Sequence, residues 1–275
     1  MDGPTVYRSS FWRNFWSNAV MAPRTSLGFM RVDFVIGTVF VIPLTQMVFF
    51  AFVVQLSAGG AASAASSIAF TAVGNAVATV TYSSVFSVCQ TTDSEKQQGT
   101  MEHLLVSPAN RIALYFGRGL IPILISLATV TVGLVYAATF FGVEIPVSSF
   151  PTLAVSIVLT AFAMVGFGLL LGGIALYLRT SIILGNIFLF IGLLLSGVNF
   201  PVSQLPLSLQ YVGEALPLTW GLKAIRAAIA GDSLGSQSVL WGAVGLSALL
   251  TFGAAIALWE VFERRAISTG SIARF

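Results

Sequence analysis

The chain holds one histidine, one cysteine and two lysines in 275 residues, so the side chains that carry group-transfer chemistry are nearly absent. A phosphate-cradling loop needs Gly-Lys followed by Ser or Thr, so that backbone amides and the lysine surround the phosphates. Lys96 stands in Glu-Lys-Gln and Lys223 in Leu-Lys-Ala, which excludes that loop. Metal chemistry lacks ligands, because His103 and Cys89 are each alone and no spaced acidic cluster joins them. A Ser–His–Asp relay would have to recruit His103, which stands beside Glu102 and two leucines. Cys89 closes an apolar segment and reads as a small buried hydrophobe, with no partner for an internal disulfide. We therefore expect no catalytic residue, no metal and no cofactor bound by this chain.

The elements that carry these few residues are membrane spans. Hydrophobic residues make up 56% of the chain and charged ones 8%, with a mean hydropathy of +0.92; soluble domains carry about a quarter charged. A helix needs about 20 mostly apolar residues to cross hydrocarbon. Six segments qualify: Phe34–Leu56, Ala64–Cys89, Ile112–Phe141, Thr152–Leu178, Ile182–Phe200 and Val239–Trp259. No run of alternating short strands suggests a barrel. The expectation is an all-α polytopic membrane protein with six transmembrane helices.

Basic residues set the orientation. With both termini inside, Arg8, Arg13, Arg24, Arg31, Lys96, Arg111, Arg118, Arg179, Arg264, Arg265 and Arg274 all lie on the cytosolic side. Only Lys223 and Arg226 fall outside, and both are expected at headgroup level with Trp220. The pI near 9.3 thus reports topology. It does not suggest nucleic-acid binding, since the cations are scattered beside spans. The first 33 residues show no apolar core with a cleavage site, so no removable leader is expected.

An ion-coupled carrier needs an ionisable side chain deep in a span. Asp33, Arg118, Arg179, Glu260 and Glu263 fall near inner ends and Glu144 near an outer one. The span centres hold neutral Gln46, Asn75, Thr79, Tyr82 and Asn186. These either join helices by hydrogen bonds or line a polar pathway. Ion coupling is disfavoured, so any energy input must come from another subunit.

Three stretches break the apolar pattern. Ser9–Val20, within a cytosolic segment 1–33, pairs Phe11 with Phe15 and Trp12 with Trp16 opposite polar residues, which suits an interfacial amphipathic helix. The polar segment 90–108 carries three of the ten acidic residues and the only histidine. There Asp93 and Ser94 cap a first turn, Gly99 permits a break, and Thr100 caps a short helix Met101–Val106 that Ser107-Pro108 ends. Met101, Leu104 and Leu105 share one face. That face either seats in a partner's groove or rests on lipid. Finally, residues 201–231 are apolar but punctuated by Pro201, Pro206, Pro217 and Gly231, which predicts two short helices, Leu205–Leu216 and Leu218–Ala230. Gly59–Ser67 and Glu144–Ser149 read as short outer turns. Gly168–Gly172 and Gly242–Gly245 have the spacing of close helix packing.

Glu95-Lys96-Gln97-Gln98-Gly99-Thr100-Met101-Glu102-His103-Leu104-Leu105-Val106-Ser107-Pro108 resembles the E-x-x-x-G-T-x-E-x-L-x-x-S-P signature of ABC type-2 permeases. Ser196-Gly197-Val198-Asn199-Phe200-Pro201, with Leu205-Pro206 and Pro217-Leu218-Thr219-Trp220, is similar to that family's second landmark, before its last span. The resemblance implies a type V ABC exporter-like fold: a six-helix domain over 34–275, a coupling helix over about 93–108 and a re-entrant outer hairpin over 201–231. It implies a second permease copy forming a homodimer, and two separate cytosolic ATPase subunits that bind ATP and Mg. Glu95, Gly99, Thr100, Met101, Glu102, His103, Leu104, Leu105 and Pro108 would meet the ATPase. Asn199, Pro201, Pro206, Pro217 and Trp220 would belong to the outer cap. Gln46, Phe49, Phe50, Tyr82, Phe86 and Asn186 would line the path between the two permeases, or else pack. Asn199 departs from the aromatic or aliphatic residue of many relatives, a change either neutral or bearing on the outer gate.

The resulting expectation is a permease of a bacterial plasma membrane that moves a drug-like compound or lipid outward, in contact with membrane lipid and serving multidrug export and antibiotic resistance. A lipid-linked glycan is the alternative within the class. Phenylalanine-rich spans favour the drug or lipid. The alternative outside it is an assembly or signalling membrane protein without transport.

Overall fold

Helices dominate because a chain in hydrocarbon must satisfy each backbone N–H and C=O within its own segment. The computed structural model describes residues 36–57, 61–89, 119–175 and 181–269, and every regular element among them is helical. The segment Ser9–Val20 and the expected coupling segment, 93–108, lie outside the described residues.

Helix α1 (Ile42–Ser57) is entered through a π-helical turn, Gly37–Val41. Pro43 accounts for the widened turn, since its ring crowds the carbonyl four residues back and it has no N–H to donate. Helix α2 (Ala61–Thr81) continues through a second π-helical turn, Tyr82–Phe86, to Cys89. Helices α3 (Leu120–Phe140) and α4 (Phe150–Ala175) follow, joined across a 3-10 turn at Val147–Ser149. Then come α5 (Ser181–Leu195), a 3-10 turn Val202–Gln204, the short α6 (Leu207–Ala215) and α7 (Pro217–Ala230), and the long α8 (Leu234–Thr269).

Five stretches, within α1, α2, α3, α4 and α8, are long and apolar enough to cross a membrane. The expected fifth span, Ile182–Phe200, differs: α5 has 15 residues and ends at Leu195. At 1.5 Å per residue its described part rises about 22 Å, against a hydrocarbon core of roughly 30 Å. The chain turns at Ser196–Phe200, where Gly197 adopts a left-handed φ of +80° that ends the helix. A second difference lies in the expected turn at Gly59–Ser67, because α2 already starts at Ala61. Runs of alanine favour helix, and flexible composition alone does not oppose it. Helix α8 likewise starts at Leu234, ahead of the expected Val239.

Helices α2 and α4 form the core. The apolar stretch of α2 is 83% buried and that of α4 61%, against 17% for α1 and 22% for α8. Helix α8 lies along α4, α3 and α1 flank α2, and α7 packs on α4 and α8. Contact is closest at small residues: Gly133 meets Ala76, Gly168 meets the Ser84 backbone, and Gly166 meets Thr251 and Phe252. Gly242 and Gly245 have open space around them, so their spacing does not mark a packing seam. Several hydroxyls inside these helices bond to the preceding turn. Thr129 and Thr160 bond back to the carbonyls of Ile125 and Ser156, both at 2.6 Å. Between helices, Trp241 Nε1 donates to Ser156 Oγ at 2.8 Å, and Ser126 Oγ lies 2.9 Å from Ser83 Oγ and 2.8 Å from Ser84 Oγ.

Candidate functional site

The polar interactions that cross between distant segments concentrate where α6 and α7 cap one end of the bundle. The proline at position 217 biases Leu216 to an extended backbone and opens α7 at its first position. The cap corner is tied by several bonds. Thr219 Oγ1 donates to the Gly213 carbonyl, Trp220 Nε1 donates to the Glu214 carbonyl at 2.7 Å, and Gln210 Nε2 donates to the Leu205 carbonyl at 2.7 Å. Lys223 Nζ lies 3.5 Å from Glu214 and 4.3 Å from the Trp220 ring centroid. Gly231, left-handed at φ +76°, closes α7.

Helix α7 is not laid along a surface. Leu218, Leu222, Ile225 and Ala228 are buried, while Tyr211 and Leu207 of α6 remain exposed. Glycines let the cap sit this close. A Cβ at Gly213 would strike the Leu195 carbonyl, one at Gly221 the Thr160 side chain, and one at Gly74 the Val198 carbonyl.

The seam between this cap and α2 is polar. Arg226 Nη1 donates to the Gly197 carbonyl at 2.8 Å, and Nη2 donates to Phe70 O at 3.0 Å and Val198 O at 3.1 Å. The guanidinium carbon lies 3.4 Å from the Phe70 ring centroid. Beside it, Asn75 Nδ2 donates to Thr71 O and to Asn199 Oδ1, both at 2.9 Å, and Thr71 Oγ1 donates to Asn199 O at 3.5 Å. Desolvation lowers the pKa of Arg226, on the non-crossing α7, to about 9, so it remains cationic at neutral pH.

This corrects the sequence expectation for Arg226. Trp220 and Lys223 do sit half-exposed at the corner, but Arg226 turns into the bundle instead of reaching toward headgroups. The reason is the supply of acceptors: the Gly197 turn leaves two carbonyls outside any helix, and Phe70 O adds a third. Of the other expected cap residues, Asn199 is clamped to α2, Pro217 is buried, and Pro201 and Pro206 are exposed beside the two short helices. Sequence reading also missed Gly74 and Phe70. The Gly74-Asn75 pair inside an apolar span was the available signal.

The expected path residues stand on three helices. Phe49 and Phe50 of α1 meet edge-on at 5.2 Å, and Phe49 is exposed. Tyr82 and Phe86 stack at 5.1 Å on the π-helical turn that ends α2. Gln46 and Asn186 are half-buried. No ring contact among the described residues joins the two aromatic pairs. The expected ATPase-facing residues, Glu95 to Pro108, lie outside the described residues. Among the described residues no group of His, Cys, Asp and Glu could hold a metal.

A helical bundle with several helices long and apolar enough to cross a membrane, and a buried, proline-bounded hairpin before the last of them, defines a polytopic membrane domain. The chain belongs to the ABC-2 type transporter family, which matches residues 12–230. It is similar to the probable multidrug ABC transporter permease YbhR of Escherichia coli K12 and to its counterpart in strain O157:H7. Each is 27% identical over 172 residues, covering 62% of this chain and 46% of the relative. The chain thus spans about half the length of the curated relatives it matches.

Proposed function

We propose that this chain is the membrane subunit of an ATP-driven exporter that moves a drug-like or lipid-like amphipathic molecule out of the cytosol or inner leaflet. The observation that carries the reading is membership of the ABC-2 family over most of the chain, with a relative named a multidrug permease. Two copies pair as a homodimer in the plasma membrane, with both termini cytosolic, and two separate ATPase subunits bind ATP and Mg. Helix α5 belongs to the sixth crossing. Residues Glu95 to Pro108, between α2 and α3, seat on the ATPase, and the α6–α7 cap closes the outer end. Supporting an apolar cargo, the described parts of the crossing helices bury neutral polar groups such as Asn75, Thr79 and Ser126 and no acid or base. Exposed Phe49, Phe52, Ile187 and Phe190 on α1 and α5 suit a partner permease, lipid or amphipathic cargo.

Mild-detergent purification of the tagged chain, followed by ATP hydrolysis assays, tests this. A stoichiometric P-loop subunit should co-purify, and Glu102→Ala should lower hydrolysis while membrane insertion stays intact. A chain that purifies alone, or with a partner unable to bind nucleotide, would shift the weight to a non-transport assembly role.

A further inference from the structure

The cap is a unit bracketed by two left-handed glycines, Gly197 at φ +80° and Gly231 at φ +76°. Such positions absorb backbone rotation that other residues resist. Between them the cap has two unlike seams. Its deep face is apolar and close-packed: Leu218, Leu222 and Ile225 share one core with α4 and the middle of α2, and Ala224 packs with α8. At the end of α2 around Phe70–Asn75 it is held by polar bonds: Arg226 joins Phe70 O to the Gly197 and Val198 carbonyls, and Asn199 pairs with Asn75. An apolar seam loses its stabilisation when water enters, whereas a polar seam exchanges protein partners for water.

The α2 seam is also incompletely satisfied. Arg226 Nε and Asn75 Oδ1 are both buried without a hydrogen-bond partner. Lys223, one turn away, pairs with Glu214, and the guanidinium charge of Arg226 meets carbonyl dipoles and one aromatic ring. Opening this seam to water would satisfy both orphaned atoms and hydrate the cation, which offsets the lost bonds.

We propose that Arg226 is the latch of the cap: it holds the α6–α7 unit closed against α2, and the cap opens along that polar seam by releasing it. That this opening lets cargo leave rests on the exporter reading; the latch itself does not.

The test uses the full chain in detergent-permeabilised membranes, in a Cys89→Ser background, with a water-soluble maleimide. Thr71→Cys reports the polar seam, since Thr71 is buried and faces Asn199. Ala163→Cys, buried on α4, reports the apolar core. The latch requires Arg226→Met to raise labelling of Thr71→Cys by about tenfold or more, the effect of losing one charge-assisted bond. Arg226→Lys, which keeps the charge but not the fork, should fall between, and Ala163→Cys should stay protected throughout. An unchanged Thr71→Cys rate in Arg226→Met overturns the latch. So does a parallel rise at Ala163→Cys, which would make Arg226 a general structural support. Nucleotide added to the co-purified complex separates the two readings: labelling that responds to Arg226→Met but never to ATP keeps the latch and removes the exporter.

Discussion

Asn75 and Asn199, 124 residues apart in sequence, share an amide–amide hydrogen bond of 2.9 Å that ties α2 to the turn leading into the cap. Replacing Asn199 with Ala leaves one N–H of a buried amide without an acceptor. We expect a loss of about 1–2 kcal/mol, read as a fall of about 2–4 °C per kcal/mol in thermal unfolding in detergent. The double replacement Asn75→Val with Asn199→Leu should recover most of it, because removing both partners leaves no orphan. A double variant as unstable as the sum of the singles would show that the pair is not the coupling.

Gly74 faces the same seam. An added methyl would collide with the Val198 carbonyl and lie 2.9 Å from Arg226 Nη2. Gly74→Ala should therefore destabilise by about 1–3 kcal/mol as an overpacked site. Gly253→Ala, with open space around it on α8, should be neutral or gain about 0.5–1 kcal/mol from helix propensity. Equal unfolding temperatures for the two variants would contradict the close approach.

The hydroxyl of Ser126 meets those of Ser83 and Ser84 from across α2 and α3. Ser83 keeps its 2.9 Å bond to the Thr79 carbonyl when Ser126 is removed. Ser126→Ala should accordingly cost about 0.6–1.7 kcal/mol, the range of interhelical hydrogen bonds within membranes. Chemical denaturation of the detergent-solubilised protein measures it, and a larger loss would mean that the π-helical turn at Tyr82–Phe86 depends on this contact.

Lys223 and Glu214 form the contrasting case, because both side chains are well exposed, at 38% and 48%. An exposed pair contributes about 0–1 kcal/mol. Lys223→Gln should shift the unfolding midpoint by less than about 0.5 kcal/mol and leave cap labelling unchanged. A shift as large as that of Asn199→Ala would show that the cap corner, and not the α2 seam, holds the hairpin down.

The crossing helices are legible because bilayer thickness demands long apolar runs, and those runs stand out in a chain with 8% charge. The two short cap helices are legible too. Pro206, Pro217 and Gly231 place their ends within two residues of the observed Leu207–Ala215 and Pro217–Ala230. Hydropathy was a poor guide at the end of α5. Val198 and Phe200 are apolar, but the left-handed Gly197 had already ended the helix.

The helical class, five of the crossing segments and the family were legible in the sequence, since these depend on local composition and short motifs. Tertiary structure alone decided where Arg226 goes. Its acceptors, Phe70 O and the carbonyls of Gly197 and Val198, lie 156, 29 and 28 residues away. A charge settles where backbone dipoles and an aromatic face can replace its water. Only the folded approach of α2, the 196–200 turn and α7 brings them together.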